Sequence, residues 1–372
     1  MRLFSLRLKT GTGKRGGNSL KRLFVLLALV AGSARALDPI GLLLPFMALG
    51  EVHVGNTNFI SNQGNYPYCS LYSVANFLEI SANSAHPRRR YLKSIEPGYL
   101  ALAFNLEHAP SLSGTSVEWL LYSVWKHGVV SREAWNLSQF PEGTEYLKNG
   151  WMEAHRSLID AKNLRLVLNS QFHDPDFRVP VTGRDYFQKS VGISLSRLQM
   201  YYSTHKEKYI ESRTPEVDTT PYRFNDEKTR KEHKKKVFED AGFAVNSPDL
   251  EEGKLYEQTK GQLEKGRPVL ITLNPSLVNG LFSNYDLVTN GDLYEVNHGY
   301  YSSHSLLAVG VCDSKKSRLP ICKDFADQFK ERKIEECLLL QNSWGPLAHD
   351  KGFACLSRNA ALRMVVAASD LK

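Results

Sequence analysis

The chain has 372 residues, enough for one large domain or two modest ones. Its apolar fraction of 42% and charged fraction of 23% are ordinary for a globular protein and exclude a disordered or fibrous class. The net charge of +8 resides in residues 1–36, which carry eight Lys or Arg and no Asp or Glu; 8 − 8 = 0 remains for residues 37–372, so no basic surface for nucleic acid is implied.

Residues 1–36 have the three parts of a signal peptide. Lys21-Arg22 are the positive region, LFVLLALVAG (23–32) is a short apolar run, and Ala34-Arg35-Ala36 fits a small-residue cleavage site. A spanning helix needs about 20 apolar residues, so this run predicts export rather than a stable membrane span. The expected location is secreted or periplasmic. Residues 37–58 form an apolar approach segment, broken by Pro39 and Pro45. The GTGK at 11–14 lacks the glycine spacing of a phosphate loop.

Helical texture follows over residues 59–162. In CSLYSVANFLE, apolar residues at 71, 74, 75 and 78 have the i, i+3, i+4, i+7 spacing of one helix face. VEWLLYSVWKHG (117–128) predicts a second helix stopped by Gly128. Residues 163–262 are polar and Tyr-rich, and their run KTRKEHKKK (228–236) reads as a solvated helix face. From Arg267 onward the pattern changes to short apolar runs between Gly, Pro and Asn: PVLITL (268–273), SLLAVGVC (305–312), CLLLQ (337–341) and GFACLS (352–357). These predict strands of an antiparallel sheet. Helices first and strands last indicate an α+β class.

Five cysteines are present: Cys69, Cys312, Cys322, Cys337 and Cys355. An odd number in an exported chain points to one thiol beside paired cysteines. Cys69 stands alone and is the candidate for chemistry. The other four allow two disulfides in three connectivities, and their spacing is not that of zinc ligands. No metal or other cofactor is expected.

A thiol attacks an amide well only as thiolate, and a helix N-terminus or a neighbouring imidazolium lowers its pKa. Cys69 opens the predicted helix. His304 precedes SLLAVGV and so begins a buried strand, a rigid mount for a base. Asn342 and Trp344 follow the strand CLLLQ, where an amide or indole can orient that imidazole. A backbone N–H and a nearby side-chain amide would serve a developing oxyanion.

Three segments carry a family resemblance. NQGNYPYCSLYSVANFLE (62–79) resembles the active-site segment of papain-like cysteine peptidases, in which a Gln precedes the Cys by six residues; here 69 − 63 = 6. SHSLLAVGV (303–311) looks like that family's histidine segment, with Val309-Gly310 at the same offset. QNSWGPLAHDKGF (341–353) is similar to its Asn-Ser-Trp-Gly segment, with the next key Gly ten residues after the Asn; here 352 − 342 = 10. The resemblance implies Cys69 as nucleophile, His304 as base, Asn342 as its orienting partner and Gln63 in the oxyanion hole. It also implies Gly114 and Trp344 as substrate-binding residues.

The implied fold is a two-lobed α+β fold over residues 59–372. It has a helical lobe at about 59–162, a β lobe at about 263–372 and the active-site groove between them. Residues of about 163–235 match nothing in the family and read as an insertion. The implied activity is hydrolysis of protein or peptide substrates through a Cys69 acyl-enzyme. A catalytically silent binding protein and acyl transfer to an amine are the alternatives. The sequence departs from the family where Ser70 replaces a Trp, Tyr66 replaces a Cys and Ala348 stands at a second Trp position. His298 is a rival base without the Val-Gly offset. Between a cleavage after Ala36 and Gln63 lie 63 − 37 = 26 residues, too few for the family's inhibitory propeptide, so the insertion is expected to limit access to the groove.

Overall fold

The computed structural model describes residues 61–64, 68–85, 95–107, 116–129, 135, 198–202, 227–246, 253–274, 286–293, 304–315 and 319–371. All belong to one compact unit, Phe46–Lys372. The expected signal peptide, the approach segment 37–58, Tyr66, Gly114 and His298 lie outside the described residues.

Among the described residues three helices come first: α1 (Cys69–Ala85), α2 (Pro97–Glu107) and α3 (Val117–His127). Gly128 ends α3 with φ 84°, and its N–H donates to the Val124 carbonyl at 2.8 Å. That is the glycine stop expected from the sequence. α1 was expected to bury one face, and Leu71, Val74, Ala75 and Leu78 are indeed buried. The opposite face is buried too, including Ser70, Ser73, Asn76 and Glu79. Buried polar groups need partners, and these have them. Ser73 donates to the Ser305 carbonyl at 2.8 Å, Asn76 accepts from Ser61 at 3.4 Å, and Glu79 accepts the Ile95 N–H at 2.6 Å. α1 is therefore a central helix, fastened on its polar side by hydrogen bonds.

Strand β1 (Leu198–Tyr202), helix α4 (Glu227–Asp240), strand β2 (Ala244–Asn246) and helix α5 (Lys254–Glu264) follow. Then come β3 (Val269–Leu273), β4 (Leu287–Val288), β5 (His304–Asp313), α6 (Pro320–Asp324), α7 (Ala326–Arg332) and β6 (Glu336–Gln341). The chain continues through β7 (Phe353–Ser357), α8 (Arg358–Met364) and β8 (Val365–Leu371). Within α4, Glu232, Lys235 and Lys236 are exposed, as a solvated face requires.

Among the described residues eight strands form one mixed sheet in the order β2-β1-β8-β3-β5-β6-β7-β4. The four strands anticipated from the sequence form its antiparallel heart, β3-β5-β6-β7. The sheet departs from the all-antiparallel expectation at both edges, where β2 pairs with β1 and β4 with β7 in parallel. These edge strands have three and two residues, short enough to limit the unpaired backbone that an edge presents. β1 lies inside the stretch expected to be an insertion, yet it sits between β2 and β8, with Leu198, Met200 and Tyr201 buried. That part of the stretch is sheet core and not surface elaboration.

Gly310 marks a register shift where β5 pairs with β6. A Cβ there would come to 3.0 Å from Leu319 Cδ1, so a side chain at this position of the Val-Gly pair would require the Leu319 side chain to shift. The four downstream cysteines pair as Cys312–Cys322 and Cys337–Cys355, one of the three connectivities left open. Cys312 and Cys337 are cross-strand partners, which brings the sulfurs of Cys312, Cys337 and Cys355 within 4.8 Å of one another. Among the described residues no helix is long and apolar enough to cross a membrane.

Candidate active site

Cys69 is the first residue of α1 and stands outside both disulfides. Aligned peptide dipoles give a helix N-terminus partial positive charge, which favours a thiolate. His304 is the first residue of β5. α1 packs against β5, so the beginning of the helix and the beginning of the strand meet. Ser70 and Ser305, the next residue in each element, bring their hydroxyls within 3.1 Å. A bulky residue at position 70 would have no room for that bond, and this is the local consequence of Ser70 standing where the resembled family has Trp.

Both Cys69 and His304 are buried. Burial alone pushes the Cys69 thiol up, because a charge is poorly solvated there. The His304 charge, a hydrogen bond from His304, the Ser305 backbone N–H and the Ser70 hydroxyl act the other way and prevail. The thiol is held below its ordinary range.

Asn342 follows β6 directly, and its backbone N–H donates to the Gly352 carbonyl at 2.9 Å. Its Oδ1 lies 3.2 Å from His304 Nε2 and accepts the Ser343 backbone N–H at 2.8 Å. Trp344 is half-buried and stacks with His304 at 5.0 Å between ring centroids, 27° from parallel. The indole thus covers the imidazole that Asn342 orients.

Gln63 reaches this site through a short antiparallel contact between residues 61–63 and 343–345. The Gln63 N–H donates to the Ser343 carbonyl at 2.7 Å, the Gly345 N–H donates to the Ser61 carbonyl at 2.9 Å, and Asn62 bridges Trp344. Gly345 has φ 89°, and a Cβ there would lie 3.2 Å from the Asn62 amide. Both facts call for glycine. The Ser343 hydroxyl donates to Gln63 Oε1. With Oε1 engaged, the Nε2 end of the buried Gln63 amide is its donor.

Four residues expected from the sequence, Gln63, Cys69, His304 and Asn342, therefore share one buried cluster, with Trp344 against it. Sequence reasoning did not single out Ser343, which anchors Gln63 at both backbone and hydroxyl. It also missed His349, whose Nε2 lies 3.0 Å from Asn342 Nδ2 and whose ring stacks with Trp344 at 5.6 Å. Ser343 could have been found as the neighbour of Asn342 inside a recognisable segment. Nothing in the sequence distinguishes His349, because a turn brings it back across seven residues.

No protein-family model matches the chain, and no curated protein matches it by sequence. Similar solved structures include PepW from Lactobacillus rhamnosis HN001, at 13% identity and TM-score 0.45, with 96% of this chain and 89% of that one covered. Xylellain, a cysteine protease from Xylella fastidiosa, is similar at 12% identity and TM-score 0.42, covering 90% and 88%. Digestive procathepsin L2 proteinase from the larval midgut of Tenebrio molitor follows at 13% identity and TM-score 0.40, covering 86% and 65%. None reaches a TM-score of 0.5, so none assigns a function to this chain.

Proposed function

We propose that the chain is an exported, papain-like cysteine peptidase with Cys69 as nucleophile, His304 as base and acid, Asn342 as orienting partner and Gln63 as an oxyanion donor. The observation that carries this reading is the meeting of the first residues of α1 and β5, Cys69 and His304, beside the 3.1 Å Ser70–Ser305 contact, with His304 holding the thiol below its ordinary range despite burial. The Asn342 Oδ1 at 3.2 Å from His304 Nε2 supports the third role, and the Ser343 anchor on Gln63 supports the fourth.

The chemistry follows from these positions. The Cys69 thiolate attacks the scissile carbonyl carbon, and the oxygen takes up negative charge facing the Cys69 N–H and the Gln63 side-chain amide. His304 gives its proton to the departing amine as the carbon–nitrogen bond breaks, leaving a thioester on Cys69. Water, deprotonated by His304, attacks that thioester and releases the acid, which restores the Cys69 thiolate and the His304 imidazolium. Two disulfides among the downstream cysteines favour an oxidising compartment and support export. The two-lobed layout with a groove between the lobes, and substrate contacts at Gly114 and Trp344, belong to the same proposal.

The test is digestion of a proteome-derived peptide library by the wild type and Cys69→Ala, with cleavage sites read by mass spectrometry. Cleavage by the wild type and none by Cys69→Ala is expected. Cleavage retained in Cys69→Ala would overturn the proposal.

A further inference from the structure

His349 sits next to the proposed machinery without belonging to it. It is buried, at the bend of the 345–352 turn, with its backbone in the left-handed region at φ 52°. A side chain other than Gly pays for that conformation, and such outliers persist where the surroundings fix them. The turn is closed by Gly352 N–H donating to the Ala348 carbonyl at 2.8 Å and by Asn342 N–H donating to the Gly352 carbonyl at 2.9 Å. It returns the His349 ring to Asn342.

The two ends of the Asn342 amide are chemically distinct. Oδ1 accepts from the Ser343 N–H at 2.8 Å and faces His304 Nε2 at 3.2 Å. Nδ2 only donates, so its 3.0 Å bond requires His349 Nε2 to be an unprotonated acceptor. A proton on that nitrogen sets two donors against each other. Either the amide turns over, which points Nδ2 at His304 and at the Ser343 N–H, or His349 leaves its place beside Trp344. In the first case the His304 imidazolium loses its acceptor, and in the second the amide loses its lock.

We propose that His349 is a positioning residue that fixes the Asn342 amide toward His304 while neutral and releases it when protonated, giving the site an acid-sensitive switch. This rests on the assignment of Cys69 and His304 as the reacting pair. Among the described residues, Asp350 and Lys351 flank His349 in the same turn and His304 shares the Trp344 indole with it; Asp324 at the end of α6 is bonded to Lys351, and Asp324 and Asp286 before β4 act on Asp350.

The test needs no known substrate. The rate of Cys69 alkylation by iodoacetamide is followed against pH by mass spectrometry in the full exported chain. His349→Gln supplies an acceptor oxygen that does not titrate, and His349→Phe keeps a ring for Trp344 but no acceptor. The wild type should lose reactivity on acidification over a limb steeper than a single proton. In His349→Gln the neutral-pH rate should stay within about twofold, because an acceptor remains, and the limb should become a single-proton step at lower pH. His349→Phe should lose about tenfold at neutral pH, the usual scale for a buried donor left unpaired. Asp350→Asn should keep the steep limb.

A steep limb retained in His349→Gln, or abolished by Asp350→Asn, would overturn the switch. If His349→Phe does not fold, His349→Gln decides alone. A wild type that alkylates like an ordinary thiol would overturn the Cys69–His304 pairing itself, an outcome distinct from failure of the switch.

Discussion

Asn342→Ala is the substitution whose consequences can be divided most clearly. The side chain makes three buried hydrogen bonds: with His304 Nε2 at 3.2 Å, with the Ser343 N–H at 2.8 Å and with His349 Nε2 at 3.0 Å. In the proposed reaction only the first changes, because only His304 gains and loses charge. A hydrogen bond to a charged group contributes about 1.5–3 kcal/mol. With a factor of ten for each 1.36 kcal/mol, turnover should fall roughly 10- to 150-fold. The other two bonds are present throughout, so their loss should appear as about 2–6 kcal/mol of stability rather than rate.

Gln63→Ala provides the contrast. Removal of an oxyanion donor costs on the order of 10²–10³ in turnover, yet it leaves the imidazole and its partner in place. The assays are kcat/KM on a peptide amide cleaved by the wild type, iodoacetamide alkylation of Cys69 at mildly acidic pH, and the urea midpoint. Asn342→Ala should lower all three, whereas Gln63→Ala should spare alkylation. Identical profiles for the two variants, or an Asn342→Ala protein that loses stability but alkylates and turns over like the wild type, would refute the division of roles.

Ser343→Ala removes the hydroxyl that holds Gln63 Oε1 while sparing the backbone bond at 2.7 Å. It should lower kcat by about tenfold with low-pH alkylation unchanged, as expected when one buried hydrogen bond is lost at an oxyanion donor. A further prediction concerns alkaline stability. Burial, reinforced by the Asp370 charge, pushes Tyr201 up to about 12. The folded state therefore keeps a proton that the unfolded chain releases near 10. This contribution is fully present below about pH 10 and is lost as pH rises from there toward the folded value. Chemical denaturation at stepped pH should show the wild type losing stability across that window and Tyr201→Phe losing less. Parallel curves would contradict it.

The parts of the fold legible in the sequence were those with a strong local pattern. The helix at Cys69 and strands β3, β5, β6 and β7 carry apolar periodicity or uninterrupted apolar runs; the strands lie within about one residue of where they were expected, and the helix starts where expected but runs on to Ala85. β8 escaped because VVAASDL mixes small and polar residues. Its burial comes from lying between β1 and β3, which no local pattern encodes. β1 escaped for a similar reason, since LQMYY sits in a polar stretch and becomes a strand by pairing with β8. β1 lies within residues 163–235, the stretch expected to limit access to the groove, so deleting all of them would also remove this strand and leave β8 with an unpaired side.

The site divides along the same line. Cys69, His304, Asn342 and Gln63 were legible because three short segments keep their internal spacing. The side chains that hold them were less so. Ser70 was noted only as a departure from Trp, and its bond to Ser305 depends on the crossing of α1 and β5. His349 contributes through a turn whose return to Asn342 depends on Gly345 and Gly352, both at positive φ. A spacing rule records the residues proposed to react, but the partners that hold them arise from how the elements pack.

The central claim is that Cys69 is ionised by its partnership with His304. The most direct measurement is the ultraviolet absorbance of the thiolate against pH, taken as the difference between the wild type and Cys69→Ala and repeated in the His304→Ala background. Thiolate absorbance is expected in the wild type well below the ordinary thiol value of about 8.5, and is expected to disappear from that range in His304→Ala. A thiolate signal that rises only near the ordinary value in the wild type, or that is unchanged by His304→Ala, would contradict it.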